Sequence, residues 1–161
     1  MKHHLLLTAL FCAFILQAAP LHSQQLTVQD VDGKQTTFSK ADLEALPHVR
    51  VNTAVSGTST TFEGVALKAV LEKAGVAFGE TMRGKRLASY LLVEAADDYR
   101  VVFALPELDT AFTDKQIVLA FLKDGKPLDD KEGPYRIVVP DEKRMARWVR
   151  QVRRLKILNA P

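Results

Sequence analysis

Alternating apolar and polar residues predict short strands between residues 26 and 55. The run HVRVNTAV at 48–55 places its valines on one side and Arg50 and Asn52 on the other, the period-two pattern of a half-buried strand. Two β-prone runs, at 26–31 and 34–38, flank Asp32-Gly33, which suits a tight hairpin turn because glycine accepts a positive φ. The pattern predicts a hairpin followed by a third strand.

More continuously apolar runs predict strands further along. LASYLLVEA at 87–95 and YRVVFAL at 99–105 are separated by Asp97-Asp98, which predicts a hairpin, and QIVLAFLK follows at 116–123. Strands this apolar are expected to be covered on both faces, by helices or by a second sheet. Several aspartates lie between these elements and are predicted to be exposed turn residues: Asp109, Asp114, Asp129 and Asp130. Tyr99 is expected to be a strand residue with its hydroxyl at the surface.

Two helices are predicted from capping signals and apolar spacing. Ser39 with Asp42 three residues later marks a helix start, and Pro47 requires that helix to end near Leu46. ALKAVLEKAGV at 66–76 has apolar residues at helical spacing, with Gly75 where a C-terminal cap belongs. The polar stretch SGTSTT at 56–61 is interpreted as a strand-to-helix connection; its backbone amides are an alternative anion site.

The length and the charge of the chain limit the functions that it can have. The chain has 161 residues, enough for one domain, and its formal net charge is +3. The excess charge lies mostly after residue 142, and only Trp148 supplies an aromatic ring there. A nucleic-acid binder would spread basic residues over the fold and add stacking aromatics, so no nucleic-acid partner is predicted.

The N-terminus has the pattern of a secretory signal peptide. Lys2 precedes an apolar run at 5–19, and a polar stretch begins at His22, with cleavage expected after Ser23. An uncleaved membrane anchor is the alternative, but the run is shorter than the roughly 20 residues needed to span a bilayer. We predict a signal peptide at 1–23, a domain at 24–161, a periplasmic or secreted location, and no stable membrane insertion after cleavage.

Removal of the signal peptide would leave few residues for catalysis. The only cysteine, Cys12, would be lost, and His48 would be the only remaining histidine. This excludes a disulfide, a cysteine nucleophile and a His-rich zinc site from the mature chain. No metal site and no catalytic residue are predicted.

The segment GPYRIVVPDEKRMARWVRQVRRLKIL at 133–158 joins an apolar strand to a strongly basic tail. Guanidinium groups match phosphate or sulfate oxygens, so the segment is a candidate anion-binding surface; a solvated basic face is the alternative. An inward-pointing Arg136 would need a carboxylate or a ligand. Trp148, with Val152 and Leu155 at helical spacing, is expected to be a core anchor.

Four strings, taken in order, carry a resemblance to a known family: FEGVALKAVLEKAGV, AADDYRVVFALPEL, VLAFLKDGKPLDDKEGPYRIVVP and RMARWVRQVRRLKIL. From about Leu26 to Leu158 the chain resembles the molybdopterin-binding domain of the sulfite oxidase family and its bacterial periplasmic relatives. The resemblance implies a single mixed α+β domain with a β-rich core. It also implies a molybdopterin cofactor and, for an active member, a molybdopterin-dependent oxidoreductase.

The resemblance implies cofactor-binding residues and exposes one departure. The implied residues are Ser56, Gly57, Arg136, Lys143, Arg144 and Arg147. Family enzymes bind molybdenum through a cysteine thiolate at the end of the strand before the glycine-containing loop. Here that neighbourhood reads Thr53-Ala54-Val55-Ser56-Gly57, and an un-ionised serine hydroxyl is a poor replacement for a soft thiolate.

Two hypotheses about function follow. The first is a periplasmic or secreted molybdopterin-binding oxidoreductase-like domain without independent redox catalysis. The second is a non-enzymatic binding or sensing module that uses the same pocket for another small anion or a periplasmic protein partner.

Overall fold

The computed structural model describes residues 25–55, 57–140 and 142–161. The predicted signal peptide, and Ser56 among the predicted site residues, lie outside this part of the chain. The strands are β1 (Leu26–Gln29), β2 (Gln35–Phe38), β3 (His48–Val55), β4 (Thr58–Ala66), β5 (Ser89–Ala95), β6 (Arg100–Ala104), β7 (Val118–Lys123), β8 (Lys126–Pro127), β9 (Arg136–Val138) and β10 (Val152–Asn159). The α-helices are α1 (Lys40–Glu44) and α2 (Leu67–Lys73), and short 3₁₀ helices lie at Gly79–Thr81, Gly84–Ala88, Leu105–Leu108 and Met145–Arg147.

The strands form two sheets. The first sheet has the order β2-β1-β10-β5-β6, in which only the β1–β10 pair is parallel. The second has the order β3-β4-β7-β8, and β9 also pairs with β7. Buried side chains from both sheets form one core, including Val93 and Leu155 of the first sheet and Phe62 and Leu119 of the second. The predicted α+β, β-rich single domain is confirmed.

Local signals in the sequence account for much of this architecture. The β1–β2 turn contains Gly33 at φ +84°, and the β5–β6 hairpin forms as predicted. Helix α1 starts with a capping box in which Ser39 and Asp42 exchange hydrogen bonds. Helix α2 buries Leu67, Val70 and Leu71 and is followed by Gly75 at φ +95°.

The prediction of a loop at 56–61 is wrong. The chain turns at Gly57, with φ +81°, and continues as β4 from Thr58, paired antiparallel with β3. Threonine is β-branched and suits a strand even where the sequence is polar. The segment is therefore one arm of a hairpin, and the helix begins only after β4 ends at Ala66.

Trp148, Val152 and Leu155 are spaced as in an α-helix, but the chain does not form an α-helix here. The tail forms strand β10, with a register shift between Val152 and Arg154 where it pairs with β5. A bulge adds one residue to a strand, so two inward-facing residues lie three apart instead of two. Trp148 is nevertheless buried, which confirms it as a core anchor.

Asp109 is buried, so its prediction as an exposed turn residue is wrong. Its side chain accepts hydrogen bonds from the Gly79 amide at 2.6 Å, the Lys68 ammonium at 3.0 Å and the Ala111 amide at 3.2 Å. Burial raises the pKa of Asp109, but these hydrogen bonds outweigh burial and hold the pKa below its usual value. The carboxylate thereby ties α2 to the first residue of the 3₁₀ helix at Gly79–Thr81.

No α-helix among the described residues is long and apolar enough to cross a membrane.

Close approach of β4 and β7 gives a first prediction. A Cβ atom at Gly64 would overlap the Leu119 carbonyl oxygen and lie 2.6 Å from the Ala120 Cα. We expect Gly64→Ala to lower the free energy of unfolding by about 3 kcal/mol, because rigid backbone must move. Gly125→Ala is the control: its methyl group has open space and only the positive φ opposes it, at a cost of about 1 kcal/mol. Equal denaturation midpoints for the two variants would contradict this account.

Asp109 gives a prediction of pH dependence. Its pKa is lower in the folded state, so the charged form stabilises the fold above the unfolded pKa of about 3.9. That stabilisation is lost as the pH falls through the folded pKa. We expect Asp109→Asn to be less stable than the parent at neutral pH and to lose less further stability on acidification, measured by thermal unfolding. Parallel pH profiles of parent and variant would refute the assignment.

Candidate ligand-binding cleft

A cleft of about 700 Å³ lies between the β5–β6 turn, the turn before β9 and the segment leading into β10. Its described lining residues are Asp97, Tyr99, Asp130, Lys131, Arg136, Met145, Ala146, Trp148, Arg150 and Gln151. This volume falls in the range of small-molecule and cofactor sites. Both signs of charge line the cleft, together with aromatic and thioether side chains.

Arg136 of β9 is the buried charge of the cleft, with only 5% of its surface exposed. Its guanidinium carbon lies 5.3 Å from the centre of the Phe62 ring and 5.5 Å from that of Trp148. Nη1 donates to the Glu132 carboxylate at 2.7 Å. The arginine is therefore held by two neighbouring aromatic rings and one carboxylate, and the intramolecular ion pair considered for it is present.

Positive charge exceeds negative charge behind the cleft. Glu132 also accepts from the Lys123 ammonium at 3.2 Å, so one carboxylate serves two cations. The three charges sum to +1. Because the Arg136 side chain is only 6% exposed, excess positive charge beside it favours an anion nearby.

Two side chains of the cleft carry hydrogen-bond donors that are not satisfied. Arg136 Nε and Trp148 Nε1 are buried and have no acceptor among the described residues. Trp148 is 4% exposed. Buried donors are usually paired, so these two favour a ligand that brings acceptor atoms to this wall.

Gln151 holds the two sides of the cleft together. Its amide donates to the Glu132 carbonyl at 2.9 Å, its carbonyl accepts from the Ala96 amide at 3.0 Å, and its side chain donates to the Asp130 carbonyl at 2.6 Å. Its φ is +51°, a conformation that costs energy for a residue other than glycine. Tyr99 adds a further tie, because its hydroxyl donates to the Ala146 carbonyl at 2.7 Å.

Of the predicted cofactor-binding residues, the described cleft contains Arg136. Gly57 lies in the β3–β4 turn, and neither it nor Lys143, Arg144 or Arg147 lines this cleft. The side chains of Lys143 and Arg144 are exposed, and neither forms an ion pair with another described residue. Their role in cofactor binding stays a prediction.

Arg147 already has partners within the protein. Nε donates to Glu142 at 2.8 Å, Nη1 donates to Glu107 at 3.0 Å, and the guanidinium carbon lies 4.6 Å from the centre of the Phe103 ring. Burial lowers the pKa of Arg147, but the hydrogen bonds to Glu142 and Glu107 outweigh it and raise the pKa above its usual value. This geometry supports a structural role.

Sequence analysis missed most of the cleft. The sequence pattern identifies Asp97 and Asp130 only as turn residues, and Gln151 carries no local signal, since its importance comes from contacts with two distant turns. The positions of Lys131 and Arg150 likewise follow from tertiary packing.

His48 has a structural explanation. Its Nδ1 lies 3.1 Å from Glu63, its Nε2 lies 3.1 Å from the Glu44 carbonyl, and its ring packs edge-on against Phe121. Among the described residues, no group of three or more His, Cys, Asp or Glu side chains could hold a metal ion.

Comparison with known proteins identifies the family. The family model for the oxidoreductase molybdopterin-binding domain matches residues 16–161. The chain therefore belongs to this family, a family that binds molybdopterin. The match begins inside the predicted signal peptide, whose boundary at Ser23 stays a prediction.

A solved structure shows the same fold. The sulfane dehydrogenase SoxCD from Paracoccus pantotrophus is similar with a TM-score of 0.66 and 22% sequence identity over 89% of this chain. The chain spans 40% of the length of that matched chain. A comparison with curated proteins finds no match.

The cleft fits the organic part of a molybdopterin. The Arg136 guanidinium and the Trp148 indole are donors, and a pterin with its phosphate is rich in acceptors. The described residues offer no thiolate ligand for the metal, because they contain no cysteine.

The Arg147 contacts give a third prediction. We expect Arg147→Met to lower the free energy of unfolding by about 1 to 3 kcal/mol, because two carboxylates lose their partner. Arg144→Met removes an exposed arginine from the same segment and should change stability by no more than about 0.5 kcal/mol. Denaturant titration measures both. A larger loss in the Arg144 variant would contradict the structural role of Arg147.

Proposed function

We propose that this chain is an exported molybdopterin-binding domain whose cleft holds an anionic, acceptor-rich ligand, and that it has no independent redox catalysis. Export rests on the N-terminal pattern of Lys2 followed by the apolar run at 5–19. The observation that carries ligand binding is Arg136, a buried cation that lines the cleft while sharing its carboxylate with Lys123.

Arg136 and the residues around it would have distinct roles in binding the ligand. Arg136 would bind the phosphate or the pterin edge, and Trp148 would donate its indole N–H and present its ring. Glu132 and Lys123 would fix the arginine from behind. A bound molybdopterin would supply oxygen-atom or electron transfer at its metal, and this chain would supply binding and orientation.

The absence of a thiolate limits the catalytic claim. In the mature chain the residues preceding Gly57 contain no cysteine, so the metal would have no soft ligand from this strand. We therefore propose binding as the activity of the chain, with a redox step only alongside a partner that completes it.

A second candidate function uses the same cleft without the cofactor. In that case the chain would be a binding or sensing module for another small anion. The excess positive charge behind the cleft supports it equally well, because inorganic phosphate or sulfate could satisfy the same donors.

Metal and pterin content separates the two. We expect protein purified from the exported fraction of its own host to begin at Gln24 and to contain molybdenum and an oxidisable pterin at near-stoichiometric levels. These are measured by mass spectrometry, elemental analysis and pterin fluorescence. Well-folded protein without either would reject the cofactor and leave the second candidate, tested by calorimetric titration with phosphate and sulfate.

The Arg136 contribution is tested with matched variants. Arg136→Met should remove most bound ligand while the fold persists, because Glu132 retains Lys123 as its partner. Arg83→Met is the control and should retain ligand content, because Arg83 is exposed, does not line the cleft and is not a predicted cofactor-binding residue. Full occupancy in the Arg136 variant, with its thermal midpoint unchanged, would exclude this cleft as the binding site.

A further inference from the structure

The outer face of the first sheet combines an apolar centre with unbalanced positive charge. This face lies on the side of β10, β5 and β6 opposite the core. The cross-strand register places Lys156 opposite Leu92, and Leu92 opposite Val102. The next row joins Leu158, Tyr90 and Ala104. Val102 is 50% exposed, so apolar surface is available at the centre of the face.

A charged row borders this apolar centre. Glu94 lies 3.3 Å from Arg100, 3.6 Å from Arg154 and 3.1 Å from Lys156, counting the nearest atoms. One carboxylate thus serves three cations, and the four charges sum to +2. The other outward positions on β1 and β2, including Thr27 and Gln29, carry no acid.

We propose that this face docks a protein partner that presents carboxylates beside an apolar strip. Partner carboxylates would neutralise the two unmatched cations of the Glu94 row, and the apolar strip would cover Leu92 and Val102. Because β6 is the edge of the sheet, the partner can also reach the row from the side of Arg100. The interaction is independent of the proposed ligand, since neither Glu94 nor Val102 lines the cleft.

Two other occupants fit this face less well than an acidic protein partner. A second copy of the chain would bring another +2 row and offer only its own Glu94, whichever way the two faces were oriented. An anionic membrane would match the charge. However, this face has only one apolar residue with a large side chain, Val102, that is more than about a third exposed. It therefore lacks the protruding side chains that enter a bilayer.

A labelled peptide tests the proposal directly. The probe is a fluorescein-labelled peptide of alternating glutamate and valine, with the lysine–valine peptide as its charge control, and binding is followed by fluorescence anisotropy. We expect binding of the glutamate peptide that weakens with added salt, and none of the lysine peptide. Failure of the glutamate peptide to bind would overturn the proposal.

Matched variants locate the binding. Val102→Asp should weaken the peptide about tenfold or more, the effect of a central interface residue. Val31→Asp alters an equally apolar residue, 46% exposed, in the β1–β2 turn and should have no effect. Lys156→Glu should weaken binding more than Lys143→Glu, which makes the same charge change outside the sheet. Equal effects within either pair would mean non-specific attraction to a basic protein and would overturn the proposal.

Two further outcomes would also overturn it. Concentration-dependent dimerisation by light scattering, lost in Val102→Asp, would assign the face to a second copy of this chain. Binding to vesicles containing phosphatidylglycerol, lost in the same variant while the peptide does not bind, would assign it to a membrane. Circular dichroism of each variant verifies that it is folded.

Discussion

Burial of the Arg136 guanidinium is the constraint around which the rest of the second sheet is arranged. A buried cation must be compensated, and Glu132 supplies the carboxylate from the turn immediately before β9. Phe62 from β4 and Trp148 from the segment before β10 pack edge-on against each other, and both rings lie beside the guanidinium. Lys123 from β7 then shares the same carboxylate. One side chain thereby couples three strands of the second sheet to the segment that enters the first.

The same arrangement explains how a cleft can form at the junction of the two sheets. Gln151 joins the turn before β9 to the end of β5 through its backbone, and Tyr99 joins the β5–β6 turn to Ala146. The lining is thus assembled from segments that are far apart in the chain but fixed to one another by hydrogen bonds. Such rigidity suits binding, because little ordering is required when a ligand arrives.

Binding of the cofactor and ligation of its metal are separate questions for this cleft. The chain belongs to the molybdopterin-binding family, and a buried arginine and an indole line its large cleft. The proposal of binding without independent redox catalysis rests on the absence of cysteine from the described residues, because carboxylates, amides and hydroxyls are harder ligands than a thiolate. A face with one carboxylate for three cations lies on the opposite side of the first sheet from the core, so partner docking and ligand binding need not compete.

The sequence by itself determined the elements whose signals are local. The Ser39 capping box, the apolar stripe of α2 and the Gly33 turn each depend on residues within a few positions, so periodicity and capping predicted them. It also identified Arg136 and Trp148 as residues needing either a partner or a core position. Only the tertiary structure decided that Thr58 begins a strand, that a bulge imitates helical spacing in β10, and that Asp109 is buried. Only the tertiary structure placed Asp97, Asp130 and Gln151 in the same cleft as Arg136. Strand pairing and charge compensation act between residues far apart in the chain, so the sequence spacing of these residues does not predict that they lie together.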